Sequence, residues 1–182
     1  KEQIEFKEAL KNFSKVLIDK SLIKIGHNIK YDIAVLKKYN IETLSFEDTM
    51  LMSYINDAGN HRHGMDELAK VHFNRDTIKF KDVVGTGKSQ ITFDYVDIEK
   101  ATEYAAEDAE ITFKLYLLLK NKLIEGKNTS AYNYLEKSLV PSILEMETNG
   151  IMLNTKYLQS LSSEFEKKIN ILEKTIFKLS GV

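Results

Sequence analysis

An acid interrupts the apolar stripe of what reads as the longest helix of this chain, and that interruption limits what the chain can fold into. In Tyr104-Ala105-Ala106-Glu107-Asp108-Ala109-Glu110-Ile111-Thr112, Asp108 falls among Ala101, Ala105, Thr112 and Leu115, which recur at the three-, four- and seven-residue spacings of one helix face. Tyr104 lies one turn earlier on that face. A carboxylate left unpaired there is costly, so the fold must supply either a Lys or Arg partner or a bound divalent cation.

A second acid bears on that choice. Leu22, Ile23 and Ile25 read as a short apolar strand that runs into Gly26 and then an amphipathic helix carrying Asp32. Side chains at the carboxyl end of such a strand line the crevice where α/β folds bind ligands. Asp32 is equally explained as a first-turn acid favoured by the helix dipole.

The rest of the chain alternates helices and short strands. Periodicity and capping signals predict helices near residues 4–18, 31–39, 49–55, 65–72 and 97–123, with strands near 22–26 and 43–46. Residues 78–93 read as irregular. Asp48-Thr49 and Asp66-Glu67 precede helical runs, so capping and first-turn roles account for them. Gly126-Lys127-Asn128-Thr129-Ser130 is polar and turn-prone, and marks a division into residues 1–125 and 126–182. Beyond it, one helix containing Pro141 stops at Asn149-Gly150. A second, from near Thr155, carries Leu158, Leu161, Phe165, Ile169, Leu172, Ile176 and Leu179 as a stripe that needs a partner.

Several other patterns lead nowhere. Gly85-Thr86-Gly87-Lys88-Ser89 resembles the end of a phosphate-binding loop, but Asp82 stands where that motif needs its first Gly, so the segment reads as a flexible loop. His61 and His63 flank Arg62, with only the distant His27 and His72 besides, and no zinc site is expected. The chain has no Cys, which excludes disulfides and thiolate metal sites and suits a reducing compartment. No signal peptide or membrane-spanning run is legible, so a soluble cytoplasmic protein is expected. A net charge of −1 argues against a broad duplex-binding surface.

Residues 28–32 (NIKYD) followed by residues 104–112 (YAAEDAEIT) resemble the second and third exonuclease motifs of the proofreading domain in bacterial family A DNA polymerases, the DNA polymerase I family. Residues 45–55, 61–69 and 88–93 resemble that domain in the same order, and residues 139–154 resemble the stretch leading into the polymerase thumb. The resemblance implies an RNase H-like α/β 3′-5′ exonuclease fold over residues 1–125, N-terminally incomplete, followed by the α-helical start of a thumb over 126–182. The implied reaction is two-metal phosphodiester hydrolysis at the 3′ end of single-stranded DNA, within a larger polymerase polypeptide in the bacterial cytoplasm.

Such hydrolysis needs an attacking hydroxide and a stabilised leaving oxygen, which two divalent ions about 3.5–4 Å apart supply, and Mg²⁺ or Mn²⁺ suits oxygen ligands. On the resemblance, Asp108 is a ligand of the ion that activates the water, Asp32 a ligand of the ion facing the leaving group, and Tyr104 the residue that orients the water. Arg62 is a candidate phosphate contact and Phe93 a base-stacking aromatic. Stacking of that kind contributes roughly 1–3 kcal/mol per base. Asn28 and Lys88 are further candidate DNA contacts, whereas Phe80 and Tyr95 read as core or hairpin residues. Arg75, the only other arginine, is a possible phosphate ligand.

One departure from the family pattern stands out. The family's first motif is an Asp-x-Glu on the opening strand, where a period of two aims both carboxylates at one site. Asp97-Ile98-Glu99 and Asp108-Ala109-Glu110 have the spacing but belong to the long helix. The chain starts at Lys1, in a segment that resembles the helix after the family's third strand. The expectation is therefore a fragment whose own nuclease activity is weak or absent, with an uncovered sheet edge and a bare apolar face. The alternatives are a non-catalytic DNA-positioning module and an RNA-trimming exonuclease of the RNase D kind.

Overall fold

The computed structural model describes residues 4–181, which fall into two compact units that divide between Thr148 and Asn149. In the first, α1 (Phe6–Leu17) leads to β1 (Lys24–Gly26), α2 (Ile29–Lys37), β2 (Phe46–Asp48) and α3 (Thr49–Asp57). Then come α4 (Met65–Phe73), α5 (Phe80–Val84), the long α6 (Ile98–Glu125), the single turn α7 (Thr129–Ala131) and α8 (Lys137–Asn149). The two strands are parallel, in the register Lys24 with Phe46, Ile25 with Glu47 and Gly26 with Asp48.

Helix α6 is the spine. Its Ile111, Leu115, Tyr116, Leu119 and Leu123 are buried with Met52 of α3, Leu68 and Ala69 of α4, and Tyr132. Helices α3, α4 and α5 and strand β1 all pack on it. The apolar stripe expected from spacing is thus real, but it is buried only from Ile111 onward. Toward the N-terminus Ala105 is exposed and Asp108 half-buried, so the acid sits where the stripe emerges rather than deep within it.

Asp48 joins the strands to the helices. Its buried carboxylate accepts the backbone N–H groups of Asn28 (3.1 Å) and Ile29 (3.0 Å) at the start of α2, and of Met50 (2.9 Å) and Leu51 (3.4 Å) at the start of α3. Capping of α3 was expected; the second helix N-terminus was not. Each of those N–H groups lacks a helical acceptor, and the positive ends of both helix dipoles converge on the one negative charge. Gly26 permits the close passage from β1 to α2, because a Cβ there would come within 2.7 Å of Ile29 Cγ1.

Three expectations are corrected. The second strand begins at Phe46 rather than Thr43, since its register is set by pairing with β1. Residues 78–93 contain α5 and two 3₁₀ turns, Gly87–Ser89 and Phe93–Tyr95, instead of irregular chain. Gly85 (φ +80°) and Gly87 (φ +61°) make the first turn possible, and Ile91 N–H donates to the Val84 carbonyl at 2.9 Å, so the glycine-rich stretch is a defined turn. The polar turn after α6 does not end the compact unit. Tyr132 is buried beyond it, accepting Asp48 N–H (3.0 Å) and donating to Glu47 (2.6 Å), which Lys137 also holds at 3.0 Å. A π-helical turn, Tyr132–Glu136, carries this anchor into α8.

Helix α1 has a pronounced apolar side yet buries no residue, and Leu22 and Ile23 are exposed beside it. In the second unit, α9 (Thr155–Ser180) is capped by Asn154, whose side chain accepts Tyr157 N–H at 3.0 Å. Its predicted stripe is regular and none of its residues is buried. No helix among the described residues is long and apolar enough to cross a membrane.

Candidate active site

Tyr104 and Asp108 are neighbours on α6, and each perturbs the other: the Asp108 carboxylate raises the Tyr104 hydroxyl, and the hydroxyl acts to lower Asp108. One helical turn separates them, which is the spacing that lets two side chains meet. Burial first, then this carboxylate, pushes the Tyr104 hydroxyl up to about 12, so it remains a hydrogen-bond donor at neutral pH. Asp108 itself is pushed above the ordinary carboxylate range, chiefly by burial, with the Asp66 and Glu107 charges acting in the same direction and the Tyr104 hydrogen bond against them.

No Lys, Arg or His among the described residues pairs with Asp108, and its charged neighbours are both acids. Arg75, the nearest arginine in sequence to these elements, is spent elsewhere. Its guanidinium grips Glu107 (2.7 Å) and Glu110 (3.0 Å), while Ile78 N–H donates to Glu107 at 2.6 Å, so Arg75 clamps the segment after α4 onto α6. Asp108 is thus a half-buried acid whose charged neighbours are two carboxylates, with the arginine near it turned to other partners.

Asp32 stands in the first turn of α2. It is exposed at its surface yet flanked by enough protein for desolvation to raise its pKa, with the Asp48 charge adding to the rise. The His27 ring is largely buried, with Nδ1 2.8 Å from Thr49 Oγ1, and burial lowers its pKa while Asp48 and Asp66 pull it upward. The charge of Asp66 thus acts on Asp108, Tyr104 and His27, and that of Asp48 on His27 and Asp32.

Two participants escaped sequence reasoning. Asp66 was accounted for as a first-turn acid of α4, which it also is, with Thr77 Oγ1 donating to it at 2.7 Å. Only the packing of α4 on α6 brings its charge to Asp108. Phe80, expected in the core, is half exposed in the first turn of α5. It stacks on Phe93 (centroids 6.0 Å apart, planes at 19°), and both rings meet Tyr104 edge-on, at 6.0 and 5.9 Å. The result is an open aromatic platform beside the tyrosine–aspartate pair. Tyr95, read as core or hairpin, is also exposed, in the turn after Phe93.

The remaining candidates lie around this centre. Asn28 adopts the left-handed conformation (φ +58°) at the N-cap of α2, and its side chain makes no capping bond. Arg62 is exposed in the loop between α3 and α4 and forms no ion pair among the described residues. Lys88 is exposed in the first 3₁₀ turn.

A family profile described as 3′-5′ exonuclease matches residues 2–124. The DNA polymerase I of Rhizobium leguminosarum is 45% identical over 179 residues, 98% of this chain and 18% of that protein. That of Pseudomonas aeruginosa is 35% identical over 185 residues, 99% of this chain and 20% of that protein. The chain thus spans about a fifth of these relatives' length.

Among solved structures, Brucella melitensis NrnC superposes with a TM-score of 0.64 at 24% identity, over 76% of this chain and 65% of its own; the same protein has been solved with bound Mg²⁺. The POL domain of Pol1 from M. smegmatis, in complex with DNA primer-template and dNTP, gives 0.65 at 17% identity over 98% of this chain and 28% of its own. At such identities these structures speak to the fold, which is that of RNase H-like exonucleases with a helical segment after the domain. The chain belongs to the 3′-5′ exonuclease family of DNA polymerase I.

Proposed function

We propose that this chain contributes the water-orienting part of a proofreading site, which removes nucleotides from the 3′ end of single-stranded DNA by metal-dependent phosphodiester hydrolysis, within a longer polymerase of the bacterial cytoplasm. The observation that carries the proposal is the Tyr104–Asp108 pair, an acid with no cation partner beside an exposed aromatic platform. Asp108 and Asp32 are the residues that would hold Mg²⁺ or Mn²⁺, and the ions would supply an activated water and charge neutralisation at the leaving oxygen.

The side chains divide the remaining work. Tyr104 stays protonated at neutral pH, and its hydroxyl orients the attacking water. Phe80 and Phe93 offer ring faces to an unpaired terminal base, which suits an enzyme that must accept any base, since every base has a π-face. Arg62 offers a free guanidinium to a backbone phosphate, with Asn28 and Lys88 as polar contacts at the edge. Residues 126–182 lead into the thumb of the same polypeptide.

Two carboxylates are few for two ions, so the chain alone is expected to be a weak nuclease. The test is Mn²⁺ binding by electron paramagnetic resonance, together with nucleotide release from the labelled 3′ end of single-stranded DNA, on the chain and on its Asp108→Ala variant. Mn²⁺ affinity should fall at least about tenfold in the variant, and any release should vanish. Binding and release that are both indifferent to Asp108 would overturn the assignment. A DNA-positioning module without catalysis has less support, because such a module has no use for a tyrosine–aspartate pair held clear of every cation.

A further inference from the structure

We propose a second metal site on this chain, formed by Asp57, His61 and His72 and selective for a borderline first-row ion of the Zn²⁺ type over Mg²⁺. Sequence spacing gave no hint of it, because His61 lies in the loop before α4 and His72 at the far end of that helix. The fold brings them together. Asp57 is the last residue of α3, His72 stands in the final turn of α4, and His61 lies in the loop between them. One ligand atom from each lies within 4.8 Å of the other two. Ligands on a common tetrahedral Zn²⁺ at 2.0–2.1 Å are about 3.3 Å apart, so closure needs side-chain adjustments of about 1 Å and no backbone change.

Three further observations point to a ligand here. Asp57 Oδ2 and His72 Nε2 are buried with no hydrogen-bond partner, a state that polar atoms rarely adopt unless something else satisfies them. His61 Nδ1 lies 2.8 Å from the Arg62 carbonyl, which can only accept, so Nδ1 carries the proton and Nε2 presents its lone pair. That backbone contact is the orienting device usual for metal-bound histidine. The C-terminal ends of α3 and α4 both face the cluster, and their dipoles favour a cation.

Lys122 is the rival occupant. Its Nζ lies 3.9 Å from Asp57 Oδ2, within ion-pair range but too far for a hydrogen bond. It accounts for part of the Asp57 charge and does nothing for the His72 lone pair, which an ammonium group 3.9 Å from the carboxylate leaves without a donor. His63 is already engaged, with Nδ1 2.9 Å from Ser53 Oγ, and takes no part. Two imidazoles and one carboxylate are a donor set for Zn²⁺, Co²⁺ or Ni²⁺, and leave a position for water. Occupancy would tie the loop of residues 58–64, with Arg62 on it, to the ends of both helices. The proposal stands independently of the nuclease reading.

The experiment is titration of the EDTA-treated 182-residue chain with Co²⁺, followed by visible absorption and by displacement with Zn²⁺. One Co²⁺ per chain with a tetrahedral ligand-field spectrum is expected, unchanged in Asp108→Asn and weakened about 100-fold or more in His61→Gln and in His72→Gln. Zn²⁺ should raise the thermal midpoint of the parent chain and leave that of His61→Gln unmoved. His61 lies in a loop, so its variant decides the matter if His72→Gln does not fold. Absence of the spectrum in the parent chain, or its survival in His61→Gln, would overturn the proposal.

Discussion

Asp48 and Asp108 are both acids set against the inward side of this protein, and the fold treats them in opposite ways. Asp48 is buried and receives four backbone N–H groups from the starts of two helices. Asp108 is half-buried, has no backbone donor of that kind among the described residues, and feels the charges of two further carboxylates. The first acid is satisfied within the protein and holds it together. The second has no cation partner among the described residues, and that asymmetry separates a structural acid from a candidate catalytic one better than burial alone does.

The largest effect expected from breaking the contrast is on catalysis. In a polymerase carrying this domain, Asp108→Ala should lower 3′-end release about 10³-fold, equivalent to about 4 kcal/mol, with unfolding by urea no easier than before. A variant that loses activity only because it unfolds would remove the contrast. Asp48→Ala should show the reverse pattern: a loss of roughly 3–5 kcal/mol in urea unfolding, because four N–H groups lose their acceptor together.

Next comes pH. The folded-state pKa values of Asp32 and Asp108 are raised, so their contribution to stability is present while they are protonated and is lost as pH rises through those values. Asp108→Asn should therefore match the parent chain near about pH 4 and exceed its thermal midpoint near about pH 7 in EDTA. A parent chain that is the more stable of the two at neutral pH would show that Asp108 has a stabilising partner after all. Tyr104→Phe should slow release by roughly 10–100-fold, leaving the alkaline limb of the pH profile in place, because a hydroxyl pushed up to about 12 does not ionise in the working range.

The smallest effect is at Arg62. Arg62→Ala should weaken single-strand binding by about 1 kcal/mol and reduce the salt dependence by about one phosphate, with no change in thermal midpoint. A drop in stability would place Arg62 among the structural residues, alongside Arg75.

Local pattern carried much of this. Helices α3, α4, α6 and α9 begin and end within a few residues of the positions that caps and periodicity indicate, because the first-turn acids, Asp48 before α3, Asn154 before α9 and the apolar spacing all act over one or two turns. Tyr104 and Asp108 were legible as a pair for the same reason. Asp66, Phe80 and the Asp57–His61–His72 cluster were not. Each owes its significance to a neighbour on another element, and the local roles open to Asp66 and Phe80 were enough to account for them.

The sequence by itself determined the long helices and the two strands, the oddity of Asp108, the resemblance of its ordered motifs to a proofreading exonuclease, and the exclusion of thiolate chemistry by the lack of Cys. Only the tertiary structure decided how each charge is answered. It gave Asp48 two helix N-termini, spent Arg75 on Glu107 and Glu110, and set Asp66 beside Asp108. Backbone propensity acts between residues a few positions apart, whereas the field at a carboxylate is summed over whatever the packing brings within several ångströms, and that sum cannot be taken before the helices have met.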